Sequence, residues 1–155
     1  MKIYIDGDAF PNRLKPIIFR AIKRLSLPTF VISNKRINIG PSELITYMIV
    51  ANGADEADNH IVEMVKEGDL VITADIPLAD RVITKNAFAL DHRGKFFNAD
   101  NIKQALAMRD FMESFRESGG VTKRQSSFNE KDVREFANQL NQFFRRQKHL
   151  SIKKS

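Results

Sequence analysis

The chain has 155 residues, 43% of them hydrophobic and 28% charged, with no cysteine and a formal net charge of +6. That length supports one sizeable core plus an appendage, and the absence of cysteine excludes a disulfide, a thiolate zinc site and a thiol nucleophile. No apolar run is long enough to span a bilayer, and the N-terminus lacks a basic segment followed by an apolar stretch and a small-residue cleavage site, so no signal peptide is expected and the cytoplasm is the expected compartment.

Lys2-Ile3-Tyr4-Ile5 reads as a short first strand that ends in Asp6-Gly7-Asp8. Strand periodicity puts Asp6 and Asp8 on one side if the extended geometry continues through Gly7, and open α/β sheets place ligands at the carboxyl ends of their strands. Two carboxylates at ~4 Å repel by about 1 kcal/mol in water and about 4 at an effective dielectric near 20. A divalent metal, a helix N-terminus or a basic side chain is therefore expected beside them. The plainer alternative is that Asp6 ends the strand and Asp8 caps the next helix.

Leu14, Ile17, Ile18, Ala21, Ile22 and Leu25 recur at helical spacing. Pro16 does not suit a helix interior, so the regular helix is expected to begin near Leu14 or to kink there. Residues 29–33 form a β-branched apolar run, completing a β-α-β unit with parallel strands. Lys35 and Arg36 follow in a loop, and residues 45–50 read as another strand. Asp55 is placed to cap a helix carrying Asp58 and apolar Ile61, Val62, Met64 and Val65. Leu70-Val71-Ile72-Thr73 is the clearest buried strand, followed by Ala74-Asp75, a helix start at Pro77, and Asp80. Residues 87–90 form a fifth strand, and His92-Arg93-Gly94-Lys95 a turn.

A helix over about 101–115 is expected to bury Ile102, Leu106 and Phe111 or Met112, and Ser118-Gly119-Gly120 stops it. A basic linker over 119–128 contains Lys123 and Arg124. The capping-box spacing of Ser127 and Glu130 then opens a last amphipathic helix over 129–155, with Arg145 and Arg146 on its exposed side. The three histidines, His60, His92 and His149, read as surface residues, with His92 the one worth testing. The organisation is a 1–118 α/β domain, a three-layer α/β/α sandwich with a mostly parallel central sheet, then the linker and a C-terminal helical appendage. Packing of that helix on the body or on a neighbour, and hence a monomer or a dimer, stays open.

Lysine and arginine balance the acids over residues 1–115, and from Arg116 onward they number ten against four, so the whole excess lies in the last forty residues. A neutral body with a basic arm suits a nucleic-acid partner through Lys35, Arg36, Arg93, Lys123, Arg124, Arg145 and Arg146; a solvated tail is the ordinary alternative.

Three acidic pairs share one topological description: Asp6/Asp8 after the first strand, Asp55/Asp58 at a helix N-terminus, and Asp75/Asp80 after the Leu70–Thr73 strand. The first and third meet if their strands are neighbours. An aspartate cluster without His or Cys selects Mg²⁺ or Mn²⁺. All six aspartates are candidate ligands, and the chemistry such an ion supports is phosphodiester hydrolysis.

Ile-Asp-Gly-Asp-Ala-Phe-Pro (5–11), Gly-Ala-Asp-Glu-Ala-Asp-Asn (53–59), Leu-Val-Ile-Thr-Ala-Asp-Ile-Pro-Leu-Ala (70–79) and Met-Arg-Asp-Phe-Met (108–112) resemble the motifs of the YaiI/YqxD family of uncharacterised bacterial proteins. The resemblance covers nearly the whole chain and implies a PIN-like fold, that of metal-dependent ribonucleases. On that pattern Asp6 matches the first-strand acid, Asp58 the helix acid and Asp75 the acid after the central strand, with Asp80 the fourth catalytic candidate. Phe10 stands where the family often has Cys, which argues against a thiol role. Two other readings stay beside the ribonuclease. One is a haloacid-dehalogenase-type phosphatase with Asp6 as nucleophile, Thr73 on phosphate and Lys85 beside it; the other is a non-catalytic RNA-binding or adaptor protein.

Overall fold

The computed structural model describes residues 1–53, 55–121 and 127–154, with side chains described up to Lys148. Strands β1 (Ile3–Asp6), β2 (Thr29–Ser33), β3 (Ile45–Ile49), β4 (Leu70–Ile72), β5 (Phe88–Leu90) and β6 (Phe96–Phe97) form one sheet in the order β3-β2-β1-β4-β5-β6. Every neighbouring pair is parallel except β5 and β6. Helices α1 (Lys15–Leu25), α2 (Glu56–Met64), α3 (Ile76–Thr84), α4 (Ala99–Glu117) and α5 (Glu130–Lys154) cover the two faces.

The period-2 alternation of buried strand residues creates the layers. Ile3, Ile5, Val31, Leu70, Ile72 and Leu90 point to one face, where they pack with Leu14, Ile18 and Ile22 and with Phe136, Leu140 and Phe144 of α5. Tyr4, Ile32, Val71 and Ala89 point to the other, against Ile61 of α2, Leu78 and Val82 of α3 and Ile102 of α4. The expected α/β/α sandwich is thus formed, and the C-terminal helix of this chain lies on its own body.

Local chemistry explains where the elements start. Residues 12–14 make a 3₁₀ turn before α1 begins at Lys15, so Pro16 falls in the first helical turn, where its missing N–H leaves no bond unmade. Asp55 occupies the N-cap position of α2 but has a left-handed φ of 69°, and its side chain accepts no capping bond, contrary to the expected cap. The cap of α5 is also shifted from the expected Ser127/Glu130 pair. Asp132 N–H donates to Asn129 Oδ1 (3.2 Å) and Asn129 N–H to Asp132 Oδ2 (3.0 Å), while Glu130 pairs with Arg13. On α4, Ile102 is buried and Met112 half-buried, but Phe111 is 62% exposed and so is not part of the packed face.

Candidate functional site

The strand order reverses between β1 and β4, so the crevice beyond their carboxyl ends is the sheet's topological switch point. β1 and β4 pair with Ile5 opposite Ile72, which sets Asp6 next to Thr73 one residue on. Thr73 is fully buried; its hydroxyl donates to Asp6 Oδ2 (2.8 Å) and accepts from the Asp75 N–H (3.0 Å). Asp75 caps α3, its Oδ1 accepting from the Leu78 N–H at 3.0 Å. Asp8 does not take the helix-cap role of the plainer alternative. Its Oδ1 accepts from the Asn34 N–H (2.7 Å), because the chain leaves β1 alongside the end of β2 and offers that backbone donor first.

These residues frame a cleft of about 420 Å³ lined by Asp6, Asp8, Asn34, Asp55, Asp58 and Asp75. Burial raises the Asp6 carboxyl above its usual range, helped by the charges of Asp8 and Asp75 and opposed by the Thr73 hydrogen bond. Asp58 is pushed up to about 6, first by burial and then by the charges of Asp75, Asp6 and Asp55, with Arg81 pulling the other way. Arg81 is itself held by Asn59 Oδ1 at 3.0 Å. The cleft thus gathers five of the six expected aspartates. Asp80 lies apart: it lines a separate groove with Ile83, Thr84 and Lys103.

The cation-bearing candidates are more dispersed. Arg93 pairs with Asp132 (2.8 Å) and lines a neighbouring cleft, and Arg36 lines a groove with Tyr47 at the β3 edge. Arg145 lines a groove with Arg24 and Lys148 between α1 and α5. Lys35 and Arg146 are exposed, and Lys123 and Arg124 lie outside the described residues. Lys85 donates to the Val62 carbonyl and does not line the acidic cleft, so it is not set to steady a phosphate at Asp6. His92, expected at the surface, is only 8% exposed, because Phe10 meets its ring edge-on at 5.6 Å. Three contributors were absent from the sequence reading of the cleft: Asn34, Arg81 and the Thr73 link between Asp6 and Asp75. Each depends on strand or helix pairing that no local pattern encodes.

Among the described residues no three His, Asp or Glu side chains stand as a ready-made ligand set for one ion. The donor chemistry nevertheless fits a hard divalent cation. Five carboxylates line the cleft, burial and then neighbouring charge raise those of Asp6 and Asp58, and Mg²⁺ is commonly held by one or two carboxylates with its remaining positions filled by water.

Fold and cleft together define a three-layer α/β protein with a carboxylate site at the sheet's switch point. The chain belongs to the YaiI/YqxD family: the model described as an uncharacterised BCR, YaiI/YqxD family matches residues 4–146. A protein of Sulfurimonas denitrificans is 66% identical over 143 residues, 92% of this chain and 95% of the relative. One of Sulfurovum sp. is 60% identical over 92% of this chain and 97% of the relative, and one of Hahella chejuensis 51% identical over 92% and 95%. All three are called UPF0178 protein.

Proposed function

We propose that this protein is a Mg²⁺- or Mn²⁺-dependent nuclease that hydrolyses phosphodiesters in RNA in the bacterial cytoplasm. The observation that carries the reading is the convergence of Asp6, Asp58 and Asp75 on one cleft at the switch point, where burial first, and then neighbouring carboxylate charge, raises the Asp6 and Asp58 carboxyls. The choice of RNA and the PIN-like pattern rest on the family resemblance.

Asp6, Asp58 and Asp75 would hold the ion. When bound, it supplies a water of lowered pKa and positive charge to stabilise the leaving oxygen. Thr73 keeps one Asp6 oxygen turned toward the β4 end, the Asp8 backbone also bonds that carboxyl, and the Leu78 N–H engages one Asp75 oxygen, so the backbone and Thr73 orient both carboxylates. Asp8 ties the end of β2 to the cleft and so positions the wall. Arg81 moderates the charge on Asp58 from the α3 side.

The test is cleavage of labelled single-stranded RNA with Mg²⁺, Mn²⁺ or chelator. Asp6→Asn is expected to abolish metal-dependent cleavage while RNA binding persists or strengthens, because one repelling charge is gone. Cleavage at the wild-type rate in that variant would overturn the reading. Salt-sensitive RNA binding with no cleavage under any metal would assign a binding role instead.

A further inference from the structure

A second cleft, of about 640 Å³, adjoins the acidic one; Ala9 and Ala74 line both, so the two meet over a divide of small side chains. Its walls differ in character. Phe97, Phe128 and Ile76 supply apolar surface, Lys95 a cation, and His92 a neutral polar group. The His92 Nε2 atom is buried without a hydrogen-bond partner. A buried polar atom left in that state costs free energy unless something else meets it, so it points to a ligand.

The rim is rigidly built. Asp91 Oδ1 accepts from the backbone N–H of both Arg93 and Lys95 (2.9 Å each), which fixes the turn that carries the cation. Arg93 is engaged by Asp132 and acts as part of the frame. Lys95 Nζ stands 5.7 Å from the Phe97 ring centroid, placing positive charge next to aromatic surface. A pocket of this volume with apolar walls and a few placed polar groups has the form of a small-ligand site. Aromatic wall plus cation is the combination that takes a base and its phosphate.

We propose that this second cleft is a subsite for one nucleoside phosphate unit of a single-stranded RNA whose neighbouring phosphodiester lies in the acidic cleft. The base packs against Phe97 and Phe128, the phosphate meets Lys95, and His92 Nε2 hydrogen-bonds the nucleotide. The assignment rests on the nuclease reading for the strand's direction of travel, but not for the binding itself.

The experiment follows the His92 imidazole resonances of the full chain by NMR, in chelator, during titration with a nucleoside 5′-monophosphate and with a short single-stranded oligoribonucleotide. His92→Gln identifies the signal. Both ligands are expected to shift it saturably. Lys95→Ala, an exposed position, is expected to weaken both by about tenfold, the value of a charge-assisted hydrogen bond. No shift with either ligand, or unchanged binding in Lys95→Ala and Phe128→Ala, overturns the subsite. Binding at His92 without cleavage on adding Mg²⁺ or Mn²⁺ would sink the nuclease reading alone, and metal-dependent cleavage with a silent His92 would sink the subsite alone.

Discussion

Thr73 shows how one buried hydroxyl sets the state of a site. It satisfies Asp6 with its proton and the Asp75 N–H with its lone pair, so Thr73→Val removes two bonds at once and strands a partly buried carboxylate. That variant is expected to lose about 1–3 kcal/mol in urea unfolding, with Thr73→Ser close to wild type. Asp58 carries the opposite burden. Its folded pKa of about 6 lies above the unfolded value of ~3.9, so the folded state binds the proton more tightly and stability falls as pH rises between those values. The cost is absent below about pH 4 and complete above about pH 6 to 7. Because the side chain is half-exposed, solvent screening reduces it to the order of 1 kcal/mol. Asp58→Asn is therefore expected to raise metal-free stability at pH 7.5 by about that amount and to flatten the pH profile over this range. An unchanged profile would remove Asp58 from the list of strained groups.

At the scale of elements, α5 is held to the body by more than its apolar face. Gly94 has a φ of +91°, and a Cβ there would stand 2.8 Å from the Glu135 backbone, so the β5–β6 turn and α5 fit only with glycine between them. Gly68, at φ +86° with open space around it, isolates the backbone part of that constraint. Gly68→Ala is expected to cost about 1 kcal/mol and Gly94→Ala clearly more, the difference measuring the α5 contact. Equal losses in thermal or urea unfolding would mean that α5 gives way without cost. The same region shows what local pattern conveys. The expected amphipathic helix is present, and Phe136, Leu140 and Phe144, at helical spacing, form the face that meets a core. Its cap was misplaced because Ser127/Glu130 and Asn129/Asp132 both have box spacing, and it is Asp132 that the distant Arg93 also engages. Two-residue β6 carries too little periodicity to be seen, and the burial of His92 comes from Phe10, eighty-two positions earlier in the chain.

At the scale of the molecule, the five parallel strands were legible as strands and β6 was not, but no local pattern gave their order, and the order creates the site. Asp6 and Asp75 became neighbours only because β1 and β4 pair at the reversal, while Asp80, a few residues beyond Asp75, was carried by the turn of α3 to a different groove. The outcome is a basic chain with an acidic cleft, an arrangement in which folding gathers like charges that water would keep apart. A divalent cation that enters the cleft relieves this repulsion in the folded state and finds no equivalent site in the unfolded chain. At about a hundred times its dissociation constant such an ion stabilises by about 2.7 kcal/mol, which for a chain of this size is a rise of roughly 5–10 °C in Tm. Mn²⁺ is therefore expected to raise Tm at pH 7.5 and chelator to reverse it. The rise should shrink as pH falls through about 6, because Asp58 then takes up a proton that competes with the ion. Asp6→Asn should abolish the rise, whereas Asp80→Asn, in its separate groove, should leave it intact. An equal rise in wild type and Asp6→Asn would put the ion somewhere other than the switch point, and the cleft would then need a cationic partner of another kind to explain its charge.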